Sequence, residues 1–354
     1  MNSADRAFLW PGVPLALAAA VLFGAAAPCA KLLLAGVEPQ LLAGLLYLGA
    51  GSGLAAVHVG RAALGIPAPE APLRAGDLLW LGAVVVFGGI LGPLLLMLGL
   101  ARTEASSASL LLNLEGLFTM AIAWVVFREN VDRRLLLGAL AILAGAAILS
   151  WRSRGLEAGI GVALIAAACL AWAVDNNLTR KLSSADPVLT AMIKGLAAGA
   201  VNTGLAVADG AVLPAAGVVA ASAAVGFLGI GVSLVLFVLA LRHLGAARAS
   251  AYFSLAPFIG AVLATGLLHE AVTLNLALAV VLMGFGLWMH LAERHHHEHQ
   301  HDALEHEHSH RHDAHHRHTH HGPVSEPHSH WHRHAPLRHA HSHYPDLHHR
   351  HRHG

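Results

Sequence analysis

Four charged side chains stand inside long apolar runs of this 354-residue chain: Lys31, Glu115, Asp175 and Lys194. At the centre of a bilayer a charge costs at least about 2.5–3.5 kcal/mol on insertion scales. Each therefore needs a partner, a wet cavity or a function. Their formal charges sum to zero, so they can form pairs along a pathway. Glu115 lies about ten residues into its run, too deep to reach either surface easily. It is the first candidate for a carboxylate that carries a proton or touches a solute; a buried structural pair is the other reading. Lys31 and Lys194 lie nearer the ends of their runs, where a long stem either reaches the interface or lines a cavity. Asp175, Asn176 and Asn177 point in three directions around a helix, and Asp175 shares a face with Thr179. That cluster reads as the cytoplasmic mouth of a pathway or as an interfacial helix end. Ser106, Ser109 and Asn113 make a stripe whose uses are hydrogen bonding between helices or a pathway lining. Tyr252 and Ser254 are its counterparts later in the chain.

A second chemistry belongs to histidine. The chain has 29, and 25 of them follow Glu293. His295, His296, His297, His299 and His301 open the tract, and His306, His308, His310 and His312 continue it among carboxylates. Imidazole with interleaved carboxylate suits divalent zinc, nickel, cobalt or copper. The tract has almost no apolar residues, so a disordered tail is expected without a ligand. A solvated tail without a role, or a polycation that charges on acidification, are the alternatives. The other histidines, His58, His243, His269 and His290, make no dense ligand cluster within a span. Metal handling by the tail is thus better supported than metal as the transported solute, and no cofactor is required.

The elements that must position these groups are membrane helices. The chain is 56% hydrophobic and 12% charged, against roughly 25% charged for a soluble domain. That excludes a disordered chain, a disulfide scaffold and most soluble enzymes. Cys29 and Cys169 sit in apolar runs and give no zinc-finger arithmetic. No catalytic constellation or phosphate-binding loop is visible, so neither an enzyme nor a nucleic-acid binder is expected. Ten spans are predicted, at about 13–35, 40–60, 77–100, 105–127, 134–150, 159–181, 188–208, 215–241, 245–268 and 273–291. The run after Arg6 is read as an uncleaved first helix rather than a signal peptide. With a cytoplasmic N-terminus, eleven Lys and Arg residues fall in inside connections and three, Arg102, Arg152 and Arg154, fall outside. The excess sets the orientation and places the tail in the cytoplasm. Gly49/Gly53, Gly88/Gly92 and Gly195/Gly199 have the spacing of close helix packing. Pro28, Pro93 and Pro257 lie inside spans and free backbone carbonyls.

The chain also repeats itself. Ala108-Ser109 followed by Glu129-Asn130-Val131 returns as Ala249-Ser250 followed by Glu270-Ala271-Val272, at an offset of 141 residues. Asn113-Leu114-Glu115-Gly116 aligns with Ser254-Leu255-Ala256-Pro257 in that frame. Glu38-Pro39 echoes Asp186-Pro187 at an offset of 148. Two halves of five spans result. Five is odd, so the halves would enter the membrane from opposite sides, as in many secondary transporters.

These residues carry a resemblance. The doubled fourth span, with its small-residue start, its central apolar-Pro element and its exit glutamate (Glu129, Glu270), resembles the EamA group of the drug/metabolite transporter superfamily. The likeness covers about residues 13–292. Glu115-Gly116 departs from the apolar-Pro pair usual in that group and puts a carboxylate mid-span. The resemblance implies an all-α integral membrane protein of ten helices in two inverted repeats. It implies export of a small metabolite and no enzyme activity.

The expected organisation is a cytoplasmic N-terminus (1–12), repeat 1 (13–150), a linker (151–158), repeat 2 (159–292) and the histidine-rich tail (293–354). The leading expectation is a secondary transporter of the plasma or bacterial inner membrane, working by alternating access. Its partners are the lipid bilayer, a small-molecule solute and transition-metal ions; a homodimer is allowed but not required. The transport pathway is assigned to Glu115, Asn113, Lys31, Asp175, Asn176, Asn177, Lys194, Tyr252 and Ser254. Two other readings stay open: a nickel, cobalt or zinc transporter fed by the tail, and a membrane-tethered metal sensor or buffer without flux.

Overall fold

The computed structural model describes residues 11–65, 75–127, 133–151, 156–179, 186–244 and 246–291, and tail residues 295–301, 304–310, 328–334 and 337–343. Among the described residues nine helices are long and apolar enough to cross a membrane. The first five are Gly12–Leu33, Pro39–Ala63, Leu78–Arg102, Ala105–Val126 and Arg133–Ser150. The next four are Gly159–Thr179, Pro187–Ala208, Ala216–Leu241 and Arg248–Leu267. A shorter apolar helix, Leu274–His290, follows. They are called spans one to nine and the tenth helix below. The predicted runs lie within a few residues of these bounds. In hydrocarbon a helix is the open-chain solution that satisfies every peptide group internally.

The two acidic-Pro pairs start helices. Glu38 caps span two, accepting from the backbone N–H of Gln40 (3.0 Å) and Leu41 (2.8 Å). Asp186 caps span seven, accepting from Val188 N–H at 2.8 Å. Pro39 and Pro187 each take the first helical position, where a missing N–H costs nothing.

The two halves interlock. Span one packs on spans eight and nine, and span six on spans three and four. Span two lies along span seven, and span five along the tenth helix. Small residues make the central crossing: a Cβ on Gly195 would stand 2.8 Å from Gly51 Cα. At the exit of span nine, His269 turns left-handed (φ 55°) and Glu270 leaves the helix. The Glu270 carboxylate then caps span four, accepting from Ala105 N–H (2.7 Å) and Ser106 N–H (2.8 Å). This cap joins the second half to the first.

Several spans are interrupted. Span three contains a π-helical segment, Val85–Leu91, and span eight another, Phe227–Val232. Span four breaks between Ala105–Leu111 and Asn113–Phe127. Span nine breaks between Ala246–Phe253 and Ala256–Leu267. The tail departs from the expected absence of regular structure. Strands β1 (His295–His301), β2 (Leu304–His310), β3 (His328–His334) and β4 (Leu337–His343) form two antiparallel pairs, β1 with β4 and β2 with β3. The alternating His-x-His pattern has the two-residue period of a strand. His312 lies outside the described residues, as do Arg6, Glu129 and Arg180.

The span two–span seven crossing generates a test. Gly195→Val inserts branched carbon between two backbones and should cost about 1–3 kcal/mol. Gly204→Ala, which meets open space, should leave the thermal midpoint of the detergent-solubilised protein nearly unchanged. Equal midpoints for the two variants would contradict the packing.

Candidate functional site

A cavity of about 310 Å³ opens between the two halves. Spans one to four and six to nine all contribute to its wall, whereas span five and the tenth helix do not. Most of the lining is apolar. Glu115 comes from the first half; Asp175, Asn176 and Lys194 come from the second. Glu115, Asp175 and Lys194 are the only ionisable acids and bases among its described lining residues, besides the phenol of Tyr47.

Lys194 and Asp175 form an ion pair, Nζ to Oδ2 at 2.9 Å, with side chains 24% and 6% exposed. Thr179 Oγ1 donates to the other carboxylate oxygen at 3.1 Å, on the face that the i,i+4 spacing predicts. Both Asp175 oxygens therefore have partners. Gly88 lets span three pass close by, since a Cβ there would fall on the Asp175 carboxylate.

Glu115 owes its place to the break in span four. Asn113 turns its amide back onto Leu110 O at 2.9 Å, competing with the helix ladder. The peptide bond pattern tightens, with Glu115 N–H donating to Leu112 O at 3.1 Å. Leu111 O is left to the thiol of Cys169, 3.6 Å away. Glu115 then lies in the first turn of the continuing helix, where a carboxylate is favoured by the helix dipole. Its Oε1 accepts from Asn176 Nδ2 at 2.8 Å. Oε2 has no hydrogen-bond partner among the described residues.

Pro93 shapes another part of the wall. In the π-helical segment Gly92 N–H reaches back to Phe87 O. The next possible donor to Gly88 O is residue 93, a proline without N–H. Two aromatic side chains meet that carbonyl instead: Tyr47 Oη and Trp172 Nε1 each donate to it at 3.0 Å. A freed carbonyl thereby joins spans two, three and six beside the cavity.

Comparison with known proteins decides the family. The profile of the EamA-like transporter family matches twice, over residues 10–151 and 159–292. The chain belongs to the EamA-like transporter family. An uncharacterized transporter of Methanothermobacter thermautotrophicus is 28% identical over 305 residues, covering 79% of this chain and 86% of the relative. A protein known from a crystal structure matches with a TM-score of 0.58 at 20% identity, over 79% of this chain and 95% of that one. That likeness shows the fold alone. As an EamA-like protein the chain is a multi-pass membrane transporter of small solutes, and membership argues against an enzyme.

Within this EamA-like body the cavity gathers Glu115, Asp175, Asn176 and Lys194 of the residues assigned to a pathway. The others are placed elsewhere. Lys31 donates to Leu100 O (2.6 Å) and Thr103 O (2.9 Å), closing the C-terminal end of span three. Asn113 and Ser254 do the same job in the two halves: Ser254 Oγ donates to Ala251 O at 2.8 Å, as Asn113 does to Leu110 O. Both hold the breaks and leave the lining to Leu112 and Phe253. Tyr252 packs against the buried cluster of Ala16, Ala240, Leu244 and Ala249. Asn177 turns away to Thr119 O (3.2 Å) and Ala173 O (2.9 Å). Ser106 and Ser109 are buried without a hydroxyl partner among the described residues, and Ser109 stands against Gly260 of span nine. Residues not foreseen as lining are Tyr47, Trp172, Phe23, Phe237 and Phe253. Trp172 had a signal, standing three and four residues before Asp175 and Asn176 on one helical face.

Charge removal tests the pair. Asp175→Asn leaves the Lys194 ammonium with its strongest partner gone, at an expected cost of about 3 kcal/mol. Asp175→Asn with Lys194→Met removes both charges and should regain most of the lost thermal midpoint. A double variant no more stable than the single one would show that the pair is not coupled.

Proposed function

We propose that this protein is a secondary transporter that exports a small metabolite by alternating access, with Glu115 as its coupling carboxylate. The observation that carries this reading is the cavity walled by both halves, with one carboxylate whose Oε2 has no hydrogen-bond partner among the described residues. The double family match supports two repeats, and the odd number of predicted spans in each makes them inverted. Rocking one repeat against the other would expose Glu115 to either side in turn. Proton binding and release there would couple the solute to the proton gradient. The excess of basic residues in alternate connections favours a plasma or bacterial inner membrane with both termini cytoplasmic. The test is counterflow in proteoliposomes under an imposed pH gradient. Glu115→Gln should abolish proton-driven flux while the protein keeps its elution volume and helix content. Undiminished flux in that variant would sink the assignment.

The tail we propose to be a cytoplasmic arm that binds divalent transition metals, supported by its dense imidazole and interleaved carboxylate. Among the described residues no group of three or more His, Cys, Asp or Glu could hold a metal ion. The body therefore offers no observation in favour of the metal-carrier reading. Truncation after Glu293 should remove nickel and zinc binding in calorimetry and leave metabolite flux intact. Retained metal binding by the truncated chain would move the site into the body, and lost metal-driven flux would favour a metal carrier.

A further inference from the structure

The charges lining the cavity do not cancel. Asp175 and Lys194 neutralise each other at 2.9 Å, and Thr179 occupies the second Asp175 oxygen. No other Lys, Arg or His is among the described lining residues. The ammonium that a carboxylate-bearing solute would need is already engaged. Glu115 is left as the acceptor, held at one oxygen by Asn176 and, among the described residues, without a hydrogen-bond partner at the other.

The rest of the wall offers rings rather than polar heads. Tyr47 and Trp172 spend their O–H and N–H on Gly88 O. Phe23 and Phe237 flank Phe253 with ring centroids 5.3 and 4.6 Å away, and all three line the cavity. Aromatic faces attract a desolvated cation, and a carboxylate fixes it. An anion would face Glu115 without a free counter-charge.

We propose that the transported solute is an organic monocation with an apolar or aromatic body, its ammonium held by Glu115 and its body by the aromatic wall. This rests on the cavity being the solute site. It also makes the exchange explicit. The cation binds the ionised carboxylate, a proton binds the same oxygen when the cation leaves, and the two cannot be held together. One cation would then move against one proton.

Four probes with the same phenyl body and different charge test it: phenethylamine, 2-phenylethanol, 3-phenylpropionate and phenylalanine. Binding is measured by calorimetry on the full chain in nanodiscs, and exchange in proteoliposomes. Phenethylamine should bind saturably and weaken by about tenfold or more in Glu115→Gln. Its efflux should be matched by proton uptake. Preference for propionate or phenylalanine, or equal binding of the neutral alcohol, would overturn the cation assignment while leaving the cavity as the site. Phenethylamine affinity untouched by both Glu115→Gln and Phe253→Ala would place binding elsewhere and overturn both readings. A lack of saturable phenethylamine binding in the folded protein overturns the proposal outright.

Discussion

Hydrocarbon cannot solvate a peptide carbonyl, and this constraint organises the molecule. Each break or bulge in a span releases a carbonyl that must be met from within the protein. Gly88 O is met by Tyr47 and Trp172, Leu110 O by Asn113, Leu111 O by Cys169, and the end of span three by Lys31. Of these, the contacts to Gly88 O are made by side chains that also line the cavity, and those of span four flank the lining residues Leu112 and Glu115. A straight span four would carry Glu115 on an uninterrupted helix with no reason to turn it inward. The irregular backbone creates the site, and the side chains that repair the backbone tie spans from both halves around it. Tyr47 illustrates the double duty, since its hydroxyl secures span three while its ring lines the cavity.

Much of this was legible from residue type and spacing. The spans follow from apolar length, since 1.5 Å of rise per residue leaves few ways to cross a bilayer. The Asp175–Thr179 contact follows from helical periodicity. That membrane charges should pair follows from the cost of a lone one, but which would pair did not: Asp175 takes Lys194, whereas Lys31 goes to backbone carbonyls. What could not be read is which polar side chain faces a pathway and which repairs a backbone. Asn113 and Glu115 are two residues apart on one predicted helix, yet one holds the break and the other lines the cavity. Their divergence depends on a helix break that hydropathy does not register. Lys31 has the same ambiguity: a lone lysine near a span end serves as well for two backbone carbonyls as for a solute. The aromatic wall was missed because a phenylalanine in an apolar run looks like lipid-facing surface until its neighbours are known.

The duplication is close in plan and unequal in chemistry. Both halves place a π-helical segment in their third span and a break in their fourth. At the 148-residue offset that relates Glu38-Pro39 to Asp186-Pro187, Lys194 corresponds to Leu46 and Asp175 to Ala27. All four line the cavity. The ion pair of one half is thus answered by apolar groups in the other. The reverse holds at the breaks, where Glu115 corresponds to buried Ala256.

That inequality bears on coupling. Two identical halves would set two carboxylates across one cavity, and like charges so close could not both ionise without cost. A single Glu115 avoids this, since its charge is opposed by no second unpaired acid among the described lining residues. It also limits the stoichiometry, because one carboxylate holds one proton or one cation at a time. The ion pair contributes polarity to the wall without adding net charge, so in the proposed exchange the net charge of the lining would be that of Glu115. An ion pair is costly to desolvate and is weak evidence for stability by itself. Its retention beside the cavity, with Gly88 kept small enough for the Asp175 carboxylate to fit, is better explained by positioning than by support of the fold.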